Sequence, residues 1–499
     1  MSILHNFTRF INSDRYQYTE ADIYVANQMH HSQSVFNYFF RKTEDGGFAV
    51  VSGTENVLQL IEILNQASRE TKLKYFSKFS FTEELTESLL SMEFHGDIDA
   101  MQEGELAFPN EPVLTLIGDL LPAKVMETPL LNTYNYQMAI ASKASRISRA
   151  AGDIPVLAFG PRRAHGFDAA VLGTKAALIG GCALHSSMGT EYLYQVESVG
   201  SMSHSFIQSF GVGSDAEYRA FTTFIHRLQE NNAPSIFLLI DTYDTLRSGL
   251  KNAIKAFQAC GIDNDFHGTF GIRLDSGDLA YFSKMCRQEL NQAGLTQAKI
   301  LLTNSLNEYL ISELKQQGAP FDLVGVGDAL ATSKDNPCFG GVYKLVEIDH
   351  TPVIKLSNDA IKITTPSHKH VYRIYQNGEA RADLITLAQN DPDVSKLLAG
   401  ETITLTSEED RFKRTTFSAK SYTIEQITKP MMRNGELTEL GKLQHDLHYS
   451  RSYYKKRLQT LSPERTRIIN PHHYKVNLSQ ALYEQKYRLI ELLKNEVPS

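Results

Sequence analysis

Between residues 156 and 326 a short apolar run recurs seven times, each time followed by a polar turn and a stretch of helical periodicity. The runs are 156–159, 183–184, 196–199, 236–240, 270–272, 300–302 and 323–326. They begin about 28 residues apart on average, close to the repeat of a strand plus its crossover helix. Strands joined by helices pair in parallel, and so many consecutive units point to a sheet that curls into a barrel. Because several runs are short and their spacing is uneven, the expected form is an irregular TIM-like α/β barrel.

The flanking segments have a different grammar. Residues 1–152 mix helix and strand, and the expected elements are several. Thr19-Glu20-Ala21-Asp22 has the spacing of a capping box ahead of a helix carrying Tyr24 and Met29, and Ser80 stands three residues before Glu83 in the same way. Residues 36–51 read as strand around a Gly46-Gly47 turn. Residues 106–117 look extended, with Pro109 and Pro112 making an edge or broken strand. Thr128-Pro129 opens a long helix that stops at Gly152. After Gly340-Gly341 strand-like stretches return at 342–348, 361–364, 371–375 and 402–406, followed by helical stretches near 443–458 and 478–493. The expected organisation is therefore an N-terminal domain over 1–152, a barrel over 153–345 and a C-terminal segment over 346–499.

Charge and composition narrow the class of function. With 50 Lys and Arg against 57 Asp and Glu the net charge is −7, which argues against a general nucleic-acid binder. The basic segment around Lys455, Lys456, Arg457 and Arg465 reads as a solvated helix face. Cys182, Cys260, Cys286 and Cys338 are far apart with no CxxC, which fits neither a disulfide framework nor a zinc cluster. No run of 18 apolar residues occurs, and residues 1–28 carry no signal-peptide pattern. The expectation is a soluble cytoplasmic protein with no membrane and no nucleic-acid partner.

Catalytic groups in parallel barrels sit on the loops after the strands. Here those loops read Gly160-Pro161-Arg162-Arg163, His185-Ser186-Ser187, Gly200 to Ser205, Asp241-Thr242-Tyr243-Asp244, Arg273 to Asp278, Thr303-Asn304-Ser305 and Gly325-Val326-Gly327-Asp328. Singly, Asp241, Ser276 or Ser305 would be read as helix caps. Seven polar loops at one barrel mouth favour a site. Arg162, Arg163 and Arg273 are charged forks suited to phosphate or carboxylate. Gly325 and Gly327 let backbone N–H groups approach an anion. Asp241, Asp275 and Asp278 suit ribose hydroxyls or Mg²⁺, with Asp275 and Asp278 the metal candidates. His204, between two serines after a strand, suits nucleophilic or proton-transfer chemistry. His30, His31, His368, His370, His472 and His473 have no metal-ligand partners at a suitable spacing and read as surface or packing residues. No P-loop, HExxH or complete GxGxxG is present, so any use of ATP does not run through a P-loop. The residues alone thus describe a barrel enzyme acting on a phosphorylated sugar.

An ordered set of motifs resembles one family, the longer nicotinate phosphoribosyltransferases. The set comprises Asp22-Ile23-Tyr24, Tyr38 to Lys42, Glu127 to Leu131, Phe159 to Ala164, Ser201 to Ser205, Asp241 to Thr245, Arg273 to Leu279, Gly325-Val326-Gly327 and Gly340 to Leu345. The resemblance implies a type II phosphoribosyltransferase: an irregular barrel plus an α/β sandwich built from both chain ends. It implies that nicotinate and phosphoribosyl pyrophosphate give nicotinate mononucleotide and pyrophosphate, with ATP as co-substrate and Mg²⁺ as cofactor, in NAD salvage. It further implies a homodimer with shared active sites.

By motif, the resemblance makes His204 the residue phosphorylated by ATP. It places Arg162 and Ser205 on nicotinate or the nearby phosphate, and Tyr24 of a partner subunit against the pyridine ring. Arg273 covers the other ring face, Asp275 and Asp241 contact ribose or substrate, and Gly325 and Gly327 cradle the 5′-phosphate. Asn304 joins the substrate-binding set, and Arg163 beside Arg162 favours a carboxylate substrate. The competing readings are a nicotinamide phosphoribosyltransferase, a non-catalytic barrel that binds phosphorylated metabolites, and a phosphosugar isomerase or aldolase. The last lacks an expected Lys or Glu among the seven loops.

Overall fold

A computed structural model of the chain describes residues 7, 12–43, 46–357, 359, 362–408 and 412–496. The chain divides into two compact units, one formed by Met1–Ser142 with Asn336–Ser499 and the other by Lys143–Asp335. Among the described residues no helix is long and apolar enough to cross a membrane.

The Lys143–Asp335 unit holds a six-stranded sheet, every neighbouring pair of which is parallel. Its order is Leu184–His185, Val156–Ala158, Leu323–Val326, Lys299–Leu302, Thr269–Leu274 and Ser235–Leu239. Six of the seven expected strands are present. Residues 196–199 instead run irregularly beside the edge strand, and Val199 N donates to His185 O at 2.7 Å. The buried His185 ring adds a second tie, bonding the carbonyl of Val196 at 2.9 Å. The sheet curls as half a barrel, with helices such as Phe167–Ile179, Leu250–Ala259 and Leu279–Gln292 as crossovers. Strand interiors are the apolar runs read from the sequence, and Ile236, Leu238, Ile272, Leu302, Val324 and Val326 are wholly buried. Lys143 and Arg146 anchor the incoming helix to this unit: Lys143 meets Glu308 at 2.8 Å and also pairs with Asp335, and Arg146 Nε meets Glu308 at 2.8 Å.

The other unit is built from both chain ends. Its seven-stranded antiparallel sheet runs Thr351–Pro352, Gly341–Ile348, Gln33–Phe40, Leu114–Asp119, Asp97–Ala100, Lys429–Arg433 and Glu436–Leu437. A four-stranded sheet is ordered Thr423–Gln426, Lys369–Gln376, Glu379–Leu387 and Lys475–Leu478. Aromatic stacking fixes the first sheet, with Phe36 on Tyr343 and Tyr38 on Tyr134, each pair 4.6 Å between centroids. In the second sheet Asn377 and Gly378, both at positive φ, close a two-residue hairpin.

Several local expectations shift. The helix near Tyr24 spans Arg15–Ala26 and starts at Asp14, so Thr19 lies inside it and its hydroxyl bonds back to the Arg15 carbonyl. Thr82, not Ser80, caps Glu83–Ser91, because its hydroxyl reaches Leu85 N at 3.3 Å. Ala49–Val50 pairs with Leu106–Ala107 rather than folding back on Gln33–Phe40. Leu114–Asp119, beyond the two prolines, is paired on both sides. The long helix begins two residues before Pro129, at Glu127, and ends at Ala151 before Gly152 at φ +70°. The stretch expected at 361–364 is no strand over its described residues, and Ile361 lies outside them.

The basic C-terminal segment is not simply a solvated face. Lys455 and Lys456 are exposed, but Arg457 is buried in a two-pronged pair with Glu425 at 2.6 and 2.7 Å, and Arg465 is buried beside the Ala380 carbonyl. These cations are held by partners on the four-stranded sheet, Glu425 and the Ala380 carbonyl.

Arg373 is the centre of that buried polar layer. It is wholly buried, pairs with Glu105 at 2.6 Å and with Asp383 at 2.8 Å, and donates to the Leu106 carbonyl at 2.7 Å. The Phe108 and Tyr474 rings flank it. Removing one member of such a group strands the others in low dielectric. Arg373→Met is expected to destabilise this unit by about 3–5 kcal/mol, read as a lower urea midpoint; an unchanged midpoint would contradict the role.

Candidate active site

In a parallel sheet all strands end at the same edge, so pairing order determines which loops become neighbours. Leu239 pairs with Arg273, Arg273 with Leu301, Leu302 with Val324, and Val326 with Ala158. The loops starting at Asp241, Asp275, Thr303, Gly327 and Gly160 therefore follow one another along a single edge.

Arg273 is the hinge of the arrangement. It sits one residue before the end of its strand, with the apolar Ile272 and Leu274 on the opposite face. Its Nη2 lies 3.1 Å from Asp275 Oδ2, its Nε donates to Thr303 Oγ1 at 3.0 Å, and its Nη1 donates to Ser201 Oγ at 3.2 Å. The Thr303 hydroxyl in turn donates to Asp275 Oδ1 at 2.5 Å. One guanidinium thus ties together three loops, and its charge-assisted contacts hold the fork and the Asp275 carboxylate in fixed orientation.

His204 begins the short helix His204–Gln208, whose cap is the Ser203 hydroxyl accepting from Phe206 N at 3.3 Å. Its Nδ1 lies 3.1 Å from Thr242 Oγ1. Its Nε2 faces two carboxylates, Asp241 Oδ1 at 3.8 Å and Asp275 Oδ2 at 3.9 Å. Those gaps exceed a hydrogen bond, so Nε2 stays open to a reacting group. The ring is 41% exposed, whereas the Asp241 side chain is 2% exposed. Asp241 Oδ2 accepts from Ser276 Oγ, but Oδ1 is buried and accepts no hydrogen bond among the described residues. A buried carboxylate oxygen without a donor is a place where a cation or a hydroxyl of a ligand would be bound.

Gly325 completes the cluster. A Cβ there would come within 2.7 Å of Thr303 Cγ2 and of the Phe159 ring, so the backbone lies directly against the threonine that serves Arg273 and Asp275. On the next loop a Cβ at Gly160 would meet Ala331 Cβ at 2.5 Å and the Gly327 carbonyl at 3.0 Å, which packs the Gly160 and Gly327 turns together. Beyond Thr303, Asn304 and Ser305 hold φ of +83° and +50°, an uncommon successive pair that marks strained backbone at the strand end.

His204, Arg273, Asp275, Asp241 and Gly325 are thus brought together, with Gly327 on the neighbouring turn. Arg162 and Arg163 are exposed on the turn Pro161–Arg163 next to it, and Asn304 is exposed beside Thr303. Ser205 Oγ is engaged by Ser203 Oγ at 2.9 Å. Asp278 caps Leu279–Gln292, its Oδ1 accepting from Tyr281 N at 2.9 Å. Tyr24 lies in the other unit, half-buried against its apolar core. The helix caps are Ser203, Asp244, Asp278 and Asn307, so Asp241, Ser276 and Ser305 are not spent on capping. Sequence reasoning gave no role to Thr242, Thr303 or Ser201, and read Ser276 singly as a helix cap. Their signal was only a hydroxyl within a few residues of a strand end, too common to single out.

Comparison with known proteins agrees over nearly the whole chain. A family model described as the nicotinate phosphoribosyltransferase (NAPRTase) N-terminal domain matches residues 11–135, and one described as the nicotinate phosphoribosyltransferase C-terminal domain matches residues 368–486. The nicotinate phosphoribosyltransferase of Bacillus subtilis (strain 168) is 36% identical over 98% of this chain and 96% of that protein. That of Caenorhabditis elegans is 30% identical over 95% of this chain and 92% of its own. The crystal structure of human nicotinic acid phosphoribosyltransferase shares the fold, with a TM-score of 0.80 and 24% identity over 96% of this chain and 99% of that one. The chain belongs to the nicotinate phosphoribosyltransferase family.

Proposed function

We propose that the chain joins nicotinate to phosphoribosyl pyrophosphate, releasing pyrophosphate and forming nicotinate mononucleotide, and that it couples this to ATP hydrolysis through phosphorylated His204. Such a reaction would be an opening step of NAD salvage. The observation that carries the reading is the cluster of Asp241, Arg273 and Asp275 at adjacent strand ends with His204 facing them.

His204 supplies the nucleophile. Thr242 orients Nδ1 and leaves Nε2 facing the substrate side. The Nε2–P bond forms as the bond between the γ-phosphoryl group and the departing ADP oxygen breaks. Transfer of the ribosyl group passes through an oxocarbenium-like sugar, so the site must clamp both ends of the donor and exclude water. Asp241 and Asp275 orient ribose hydroxyls, Arg273 covers the base, and the Gly325 and Gly327 turns leave room for the 5′-phosphate. Arg162 and Arg163 pair with the nicotinate carboxylate, with Ser205 and Asn304 completing the polar lining. The unpartnered Oδ1 of Asp241 and the carboxylate of Asp275 are hard oxygen donors that fit Mg²⁺. When bound there, the ion neutralises the pyrophosphate leaving group. Tyr24 of a partner subunit closes over the pyridine ring in a homodimer, and the protein acts in the cytoplasm.

Purified protein given phosphoribosyl pyrophosphate and Mg²⁺ is expected to turn over nicotinate and leave nicotinamide nearly inert, with ATP accelerating the reaction. Comparable rates for the two radiolabelled bases would reject the acid-specific reading, and binding without pyrophosphate release would make the barrel a sensor. In His204→Ala residual transfer should persist while stimulation by ATP disappears; an undiminished ATP effect would remove the histidine from the coupling step. Thr303→Val, which deprives both Arg273 and Asp275 of a partner, should lower kcat/KM by about 10–100-fold, with Thr303→Ser restoring most of it. A valine variant as active as the parent would show that the Arg273–Asp275 geometry needs no support.

A further inference from the structure

Away from the barrel, the two-sheet unit brings together three side chains that the proposed reaction does not use. Asp99 lies in the strand Asp97–Ala100, between Leu114–Asp119 and Lys429–Arg433, and its side chain is 3% exposed. His368 and His370 flank the first residue of the strand Lys369–Gln376 in the other sheet. Two positions apart along extended backbone, they point to the same side, and their rings meet edge to face at 5.2 Å between centroids. His368 Nε2 is 3.3 Å from Asp99 Oδ2. One ligand atom from each of the three residues lies within 4.8 Å of the other two.

An ion bound tetrahedrally at 2.0–2.2 Å holds its ligand atoms about 3.4 Å apart, and the His368–Asp99 hydrogen bond already has that length. The two edges to His370 lie within 4.8 Å. The surroundings supply outer contacts of the kind that orient ligands. Arg433 Nη2 takes the other oxygen of Asp99 at 2.5 Å, which fixes the carboxylate and leaves Oδ2 for the ion. Thr428 Oγ1 stands 3.5 Å from His370 Nδ1, leaving Nε2 free. The guanidinium is a neighbouring cation, but it is 40% exposed and Asp97 stands 3.9 Å from its Nε, so its charge is shared and solvated.

We propose that Asp99, His368 and His370 form a binding site for a borderline divalent transition ion of the Zn²⁺ or Co²⁺ class, clipping the two sheets of this unit together. Two imidazoles and one carboxylate select such ions over Mg²⁺, which prefers all-oxygen sites. With three protein ligands, water fills the fourth position. The site is independent of the proposed transferase reaction, since no residue is shared with the barrel cluster.

The test uses the full chain stripped by a chelator and titrated with Co²⁺ alone. One equivalent is expected to give visible ligand-field absorption, to raise the thermal unfolding midpoint and to be displaced by Zn²⁺. His368→Gln and His370→Gln, which keep size and polarity, should each weaken Co²⁺ binding by about tenfold or more and cancel the thermal shift, with native far-UV circular dichroism. Cys338→Ser, removing the exposed thiol, should leave binding intact. Asp99 is left untouched because its replacement would strand Arg433. Absence of stoichiometric Co²⁺ binding by the parent chain would overturn the proposal whatever the variants do. So would binding unchanged in both histidine variants, or binding abolished by Cys338→Ser.

Discussion

The parallel register of three strands is the constraint on which the site depends. Thr269–Leu274 lies between Ser235–Leu239 and Lys299–Leu302, and pairing Leu239 with Arg273 and Leu302 with Leu274 brings their ends level. Only then can one guanidinium reach Asp275 on its own loop, Thr303 on the next and Ser201 on a third. A slip of one residue would turn Arg273 into the helix layer and send Leu274 to the mouth. The geometry of this cluster is thus a consequence of backbone hydrogen bonding, and the side chains only use it.

The same logic explains how polar groups are distributed. Asp241 is almost entirely buried with one oxygen unfilled, and His204 beside it is partly open. A folded chain tolerates an unfilled buried acceptor where binding supplies the missing partner. The two-sheet unit treats its buried charges differently. Arg373 meets Glu105 and Asp383, Arg457 meets Glu425, and the Lys369 ammonium reaches the carbonyls of Thr365, Pro366 and Ser367 at 2.6–3.0 Å. Buried polar atoms without a hydrogen-bond partner among the described residues occur in both units; what sets Asp241 Oδ1 apart is its place among the strand-end loops.

Much of this was legible in the sequence because strands and crossover helices have distinct periods. Six of seven barrel strands were found, and the loops carrying His204, Asp241, Asp275 and Gly325 were identified as the mouth. The seventh was over-read: Val196 and Val199 make a strand-like pattern, yet the segment joins the edge only through Val199 N to the His185 carbonyl and Val196 O to the His185 ring. Arg457 and Arg465 were read as surface because their acidic partners lie far away in the chain or come from a carbonyl of another strand. That Asp278 caps a helix was not read, because residue type alone does not show which Asp after a strand takes the cap. The hairpin at Asn377-Gly378 had a local signal, an Asn-Gly pair between apolar runs, that passed unnoticed.

The sequence alone determined the class of fold, the side of the sheet where chemistry gathers and the kinds of group available there. These follow from local periodicity and from the rule that parallel strands end at one edge. Only the tertiary structure decided which groups touch. Thr303 became the bridge between Arg273 and Asp275, Thr242 the partner of His204, and Asp99 the neighbour of two histidines some 269 residues further along the chain. Contacts of that kind depend on strand order and register across distant segments, and no local pattern of residues encodes them.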